Sequence, residues 1–398
     1  MRPYARAMTA AAIDERAAAH EADVLDLLER LVGEESVEGS AAIGACLDIV
    51  AERLGGIAPT VERLDYDGVP ALVARIGAGD PSRRLTFSGH VDVVTASGGW
   101  RSPPFRLTER AGRLHGRGTC DMKAGVAAAV EAARVVAELG PLAEISVELA
   151  LTGDEEVGSE HGTRVLLAGG WITGRSAICC EPTGLGVFLG NRGLVWADIV
   201  VTGRGGHAGM AHALANPIDA AAALIDALNA APLTARDERF DPPRPTLTLT
   251  RVQADAGGRN VVPDSVALGL DRRLLPGEDP DAVLAEIERV VAATVRPPFA
   301  AGIAVARRWP PYAIDPGSPV AQAAAAAVRA SGREPAFGMD SAANDSSWLD
   351  AAGIDTVLLG PGEPTEAHVT DESVDPTEVA AAVAVYARLM AQTASAVV

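Results

Sequence analysis

Residues 114–158 read LHGRGTCDMKAGVAAAVEAARVVAELGPLAEISVELALTGDEEVG. A glycine-rich turn runs into a helix over 124–139 that Gly140 closes. An apolar strand follows over 145–152 and ends in Gly153-Asp154-Glu155-Glu156. Just upstream, 85–90 reads as another apolar strand, and 177–180 and 356–359 as further buried ones. Strands alternating with helices predict an α/β domain, an open mixed sheet with helices on both faces. Two more helices are expected near the N-terminus, over 10–31 and 41–54, the second stopped by Gly55-Gly56.

The middle of the chain has a different rhythm. Residues 195–202 read as a strand, and 246–250 and 266–270 alternate with period two. Asn216-Pro217 and Asp279-Pro280 each open a helix, with a capping side chain followed by proline at the first helical position. Ile218, Ala221, Ala222, Ile225 and Leu228 share one face of the first helix; Val283, Ile287, Val290 and Val291 share one face of the second. With a last strand over 303–307, the order βαββαβ predicts a ferredoxin-like α+β domain over 190–309. It would be inserted between the two parts of the α/β domain, 1–189 and 310–398.

A chain of 398 residues is too long for one ordinary core, and 48% hydrophobic with 22% charged residues is a globular composition. The net charge of −19 repels phosphate backbones and anionic lipid, so neither nucleic acid nor membrane is an expected partner. No apolar run approaches the roughly 18 residues of a membrane span, and the first residues lack the apolar core of a secretory signal. The expected location is cytoplasmic. Four cysteines, at 46, 120, 179 and 180, have neither disulfide nor metal-knuckle spacing.

Polar groups gather where the predicted strands end. His90 closes the 85–90 strand, with Asp92 two residues on; alone, the pair fits a buried structural histidine better than a metal ligand. Asp121 stands in the glycine-rich turn, where a helix cap is the simpler role; a phosphate loop would need other glycine spacing and a Lys-Ser/Thr ending. Asp154, Glu155 and Glu156 follow one strand, Glu181 another, and His368 the Gly360-Pro361-Gly362 turn after the last. Open α/β sheets place their sites beyond the C-terminal ends of strands, and so many coincidences there point to one site.

The chain resembles the M20 metallopeptidase family, in its acetylornithine deacetylase / succinyl-diaminopimelate desuccinylase branch. The resemblance rests on SGHVDVV (88–94), Trp100 with PPF (103–105), LHGRGTCDMKAG (114–125), TGDEEVG (152–158), EPTG (181–184), GRGGHAG (203–209), NVVPD (260–264), LDRRLLPGE (270–278), GPG (360–362) and AHVTDE (367–372), in the family's order. It implies a zinc-peptidase-like sheet domain with an inserted lid and dimerisation domain. Two divalent ions per chain, zinc or else cobalt or manganese, would be held by His90 and Glu181 on one side and Glu156 and His368 on the other. Asp121 would bridge them, and the Asp121–Met122 peptide would be cis. Glu155 would be the general base, acting with a metal-bridged hydroxide, and Asp92 the partner of His90. His207 would stabilise the oxyanion, in its own or the partner subunit's site of a homodimer. Asn260, Arg273 and Gly362 would bind substrate, although without the resemblance an ordinary ion pair with Asp271 is the simpler use for Arg273.

Within the family, Met122 resembles the deacylases, and Leu274-Leu275-Pro276-Gly277 the acetylornithine deacetylases. Asn191-Arg192-Gly193-Leu194 stands where desuccinylases carry Arg-Arg-Gly-Ser, and 338–349 departs from both. The expected activity is removal of an N-acyl group from a small amino-acid-like molecule. A desuccinylase, a dipeptidase or carboxypeptidase acting on short peptides, and a non-catalytic binding protein are the alternatives.

Overall fold

The computed structural model describes residues 8–140 and 142–394, in two compact units. One runs to Gly190 and takes in Ile314–Gly338 and the chain from Trp348 onward; the other comprises Asn191–Ala313 and Met339–Ser347. Among the described residues no helix is long and apolar enough to cross a membrane.

The first unit is built on a mixed sheet with helices on both faces. Along it lie Thr60–Tyr66, Val69–Ile76, Val147–Thr152, Leu85–His90, Ser176–Cys179, Asp355–Leu358 and Val187–Asn191 in that order. The four strands from Val147–Thr152 to Asp355–Leu358 run parallel, and their flanking neighbours antiparallel. Parallel strands covered on both faces need apolar residues at every position, and Leu85–His90 and Val147–Thr152 are buried throughout. One face receives Lys123–Leu139 and Pro376–Gln392, where Phe87 meets Tyr386 edge to face at 5.1 Å. On the other, Leu166 and Leu349 pack with Ala71, Val73, Ala150 and Ala177.

The helix Lys123–Leu139 is buried nearly all round, which its run of Ala, Gly and Val permits by letting the backbones approach. Gly125 is the tightest point: a Cβ there would stand 2.2 Å from the carbonyl oxygen of Cys180. The expected helix over 10–31 is broken into Ala10–Ala19 and Glu21–Gly33. At the break, His20 leaves helical geometry, and its buried ring lies 2.7 Å from Glu131 of the central helix. The hairpin Thr60–Val69 onward has no counterpart in the sequence expectations, because its outer strand is half exposed and lacks a clean apolar alternation.

The second unit has a four-stranded antiparallel sheet in the order Thr246–Gln253, Ser265–Leu274, Gly193–Thr202, Ala300–Trp309. Its helices Pro217–Ala230 and Pro280–Thr294 are capped by Asn216 and Asp279, whose side chains accept backbone N–H groups. Ala221, Leu224, Leu228, Val283, Ile287 and Val291 bury their stripes against Val195, Ile199, Val201, Leu268 and Leu270.

Burial, with the like charge of Asp355 added, pushes the Asp350 carboxyl up to about 6. A carboxyl whose pKa is raised on folding opposes the fold once ionised: the penalty is absent below the unfolded value near 4 and complete above about 6. Asp350→Asn is therefore expected to raise stability by about 1–2 kcal/mol at pH 7, and by almost nothing at pH 4. Urea titrations at the two pH values check this; equal gains at both would sink the assignment.

Candidate active site

Four of the parallel strands deliver side chains to one place beyond their C-terminal ends. His90 is the last residue of Leu85–His90 and is buried. Its Nδ1 lies 3.0 Å from the backbone carbonyl of Asp92, so a neutral ring carries its hydrogen there and turns the Nε2 lone pair inward. The Asp92 carboxylate has one oxygen 3.5 Å from the same Nδ1, and its other oxygen accepts the backbone N–H of Glu156 at 3.0 Å. Asp92 thereby ties together the loops after two neighbouring strands.

Asp121 stands at the turn before the central helix, and the Asp121–Met122 peptide is cis, as the resemblance implied. Its carboxylate gives one oxygen to each of two imidazoles: Oδ1 is 3.1 Å from His90 Nε2, and Oδ2 is 3.2 Å from His368 Nε2. His368 Nε2 is also 3.0 Å from Glu156 Oε1. Glu181 Oε1 and Glu155 Oε2 lie 3.9 Å and 4.0 Å from His90 Nε2. These distances bring together His90, Asp121, Glu155, Glu156, Glu181 and His368.

The electrostatics of this group call for added positive charge. Burial alone would raise the Asp121 carboxyl, yet the hydrogen bonds to His368 and His90 hold it far below the usual carboxylate range. The bonds of Asp121 and Glu156 push the His368 imidazole up to about 10 against its desolvation. His90 is raised well above its ordinary value although burial works the other way, through Asp121, Asp92 and Glu155. Burial and the Asp121 charge push Glu156 up. Among the described residues, the ion pairs of Asp121 and Glu156 go to these imidazoles. Protons on the rings thus do what dications would do better, and the ligand atoms of His90, Asp121 and Glu156 all lie within 4.8 Å of one another. The imidazole and carboxylate donors suit zinc, and cobalt or manganese as well.

A second such group, His20, Asp23 and Glu131, has a different character. Arg53 Nε lies 2.5 Å from Glu131 and Arg134 Nε 3.5 Å, so guanidinium groups already supply the charge that the buried carboxylate needs. It is an ion-pair network joining helices.

The remaining expected residues have partners of their own. Gly362, with φ of 97°, donates its N–H to Glu378 and backs onto Cys120, whose Sγ would be 2.7 Å from any Cβ added to it. His207, Asn260 and Arg273 belong to the second unit. His207 is exposed, and its Nδ1 accepts the N–H of Gly209 at 3.0 Å, which leaves Nε2 as the donor of the neutral ring. Asn260 is exposed, and its carbonyl accepts the N–H of Ala208. Arg273 pairs in bidentate fashion with Asp271 at 2.9 Å and 3.1 Å, over the ring of Trp196. That is the ion pair the sequence offered as an alternative to substrate binding.

Three buried charges beside the site were not singled out from sequence: Arg117, Lys123 and Glu372. Lys123 Nζ donates to the carbonyls of Leu31 and Glu34, at the end of Glu21–Gly33. Arg117 and Glu372 pair with one another at 2.5 Å. All three stand inside the quoted motifs, but a charged residue in a glycine-rich turn or loop reads as solvated until the packing is known.

Residues 86–392 match the peptidase family M20/M25/M40. The chain is 38% identical over 233 residues to a succinyl-diaminopimelate desuccinylase of Paracoccus denitrificans, covering 56% of this chain and 60% of that protein. It is 32% identical over 364 residues to an acetylornithine deacetylase of Myxococcus xanthus, covering 87% and 91%. The chain thus spans about three fifths of the first curated relatives it matches, and more of others. Its fold is similar to that of the dipeptidase Dug1p from Saccharomyces cerevisiae, with a TM-score of 0.79 and 16% identity, covering 98% of this chain and 99% of that one.

Proposed function

The chain belongs to the peptidase family M20/M25/M40, and on that footing we propose that it is a metal-dependent amidohydrolase that removes an N-acyl group from a small amino-acid-like substrate. The observation that carries the reading is the Asp121 carboxylate, with one oxygen on each of two imidazoles. In this reading His90 and Glu181 would hold one divalent ion and Glu156 and His368 a second, with Asp121 shared between them. Bound there, such ions lower the pKa of a water and polarise the amide carbonyl.

The chain's own groups do the rest. Glu155 accepts the proton of the attacking water on a carboxylate oxygen and passes it to the leaving nitrogen. Asp92 fixes the His90 tautomer through its backbone carbonyl and steadies the loop that carries Glu155 and Glu156. His207 donates from Nε2 to the carbonyl oxygen as negative charge develops on it, in its own or a partner's site. The segment 190–309 acts as a ferredoxin-like lid and dimer contact, and Asn260, Gly362 and Arg273 hold the substrate. For Arg273 this role requires exchange of its Asp271 partner.

The relatives favour deacylation over peptide hydrolysis, since a desuccinylase and a deacetylase both remove acyl groups. Between the two, a small neutral acyl group fits better. Arg192, the cation of the Asn191–Leu194 stretch, is buried under the Phe240 ring and donates to the carbonyls of Arg244 and Pro242, so it is not free for a succinyl carboxylate. Desuccinylation is the second reading, favoured by the first relatives.

The test is metal analysis with hydrolysis of N-acetylornithine, N-succinyl-diaminopimelate and a dipeptide, before and after chelator. About two ions per chain and chelator-sensitive release of acetate are expected. Release of succinate instead selects the second reading; a metal-free protein that hydrolyses none of the three overturns both.

A further inference from the structure

The turn that carries Asp121 is hydrogen-bonded to a residue of the loop that carries His368. Glu372 is fully buried, and its Oε1 accepts two successive backbone N–H groups, those of Cys120 at 2.8 Å and Asp121 at 3.1 Å. Its Oε2 takes the buried guanidinium of Arg117 at 2.5 Å, and that guanidinium lies 5.2 Å from the centre of the Trp100 ring. The main chain adds to this: the Glu372 carbonyl accepts the N–H of Gly116, and Ser373 and Val374 pair with His115 and Leu114.

The loop is held from its other side by the neighbouring acid. Asp371 accepts the backbone N–H of Arg101 at 2.9 Å and lies 3.2 Å from Arg110. Two non-glycine residues of this loop, His368 and Asp371, have φ of 61° and 62°, a region unfavourable for side-chain-bearing residues that persists only where surroundings impose it.

A buried ion pair is a poor way to gain stability, because desolvation offsets most of its attraction. The Arg117–Glu372 pair instead gains its use from geometry. The two amides that Glu372 holds belong to the residue whose carboxylate reaches both imidazoles and to the residue before it. One of those imidazoles, His368, is four residues from Glu372 itself.

We propose that Glu372 is a positioning residue, which sets the backbone of the Cys120–Asp121 turn and so aims the Asp121 carboxylate between His90 and His368. Its bearing on catalysis rests on the amidohydrolase reading above; its hold on the turn does not.

The test compares wild type, Glu372→Ala and Glu372→Gln in the full chain. Amide hydrogen exchange over 116–122 is followed in metal-free protein, zinc affinity by chelator competition, and kcat and KM on the substrate the panel identifies. Glu372→Ala is expected to speed exchange at Cys120 and Asp121 by at least about 10-fold and to weaken zinc by about 10–100-fold. It should lower kcat by at least about 10-fold with KM little changed. In Glu372→Gln the amide oxygen still accepts both N–H groups, so most of the zinc affinity returns. A merely structural contact would lower Tm in both variants and leave the zinc Kd alone.

Unchanged exchange, zinc affinity within about twofold of wild type, or no recovery in Glu372→Gln would each overturn the inference. Should Glu372→Ala not fold, Glu372→Asp replaces it, since the shorter arm keeps the charge but cannot reach both amides. If wild type itself binds no zinc, the amidohydrolase reading fails. The exchange measurement then still decides whether Glu372 governs the turn.

Discussion

Glu155→Gln is expected to bind added zinc as tightly as wild type and lose kcat by about 10²–10⁴-fold, the range that a positioned general base contributes. The side chain is nearly buried, and its Oε2 stands 4.0 Å from His90 Nε2, at the margin of the ligand cluster. Its neighbour Glu156 is turned to His368 at 3.0 Å. Two consecutive acids in one short turn, Glu155–Val157, therefore have different partners and can have different tasks. The amide keeps the volume and one acceptor oxygen of the carboxylate but cannot take up a proton. Binding should hold while chemistry fails, so KM and metal content stay near wild type as kcat falls. Steady-state kinetics with metal analysis on the same preparation decides it. A kcat within about threefold of wild type would remove Glu155 from the mechanism.

Asp121→Ala should do the opposite and empty the site. Among the described residues its carboxylate is the one group with an oxygen on each of the two imidazoles, so its loss affects both halves of the cluster. Partners outside a metal's ligand shell are worth about 10–100-fold in affinity, and the loss of a shared ligand should exceed that. Expected are zinc binding weakened by more than about 100-fold, no measurable turnover, and no rise in Tm on adding zinc. Chelator competition and a thermal melt with and without zinc read these directly. Full zinc occupancy in this variant would show that Asp121 is a turn residue and no bridge.

Much of the first unit was legible because its signals are local. An apolar run between turn residues marks a buried strand, and the observed strands Leu85–His90, Val147–Thr152, Ser176–Cys179 and Asp355–Leu358 fall within two residues of those expected. The helix that Gly140 closes begins at Lys123, one residue early. Where a residue's role depends on a distant partner, the sequence misled or was silent. His20 breaks a helix whose pattern runs straight through it, because its ring is held by Glu131, 111 positions away. Arg117 and Glu372, 255 positions apart, look like two solvated charges and form one buried pair. Arg273 was offered two partners by its sequence, and the structure gives its guanidinium to the one two residues away.

By itself the sequence determined which residue types stand at strand ends. A strand's apolar run and the polar loop after it are written in consecutive residues, so the histidines and carboxylates could be placed one at a time. Only the tertiary structure decided which of them meet. Glu156 and His368 are 212 positions apart, and nothing periodic links them. They meet because Asp355–Leu358 adds to the parallel sheet beside Ser176–Cys179, which sets the loop carrying His368 among the loops that carry His90, Glu156 and Glu181. Strand order is a choice among long-range pairings of similar apolar edges. It is settled by how the whole sheet packs against its helices, and no single window of sequence contains that information.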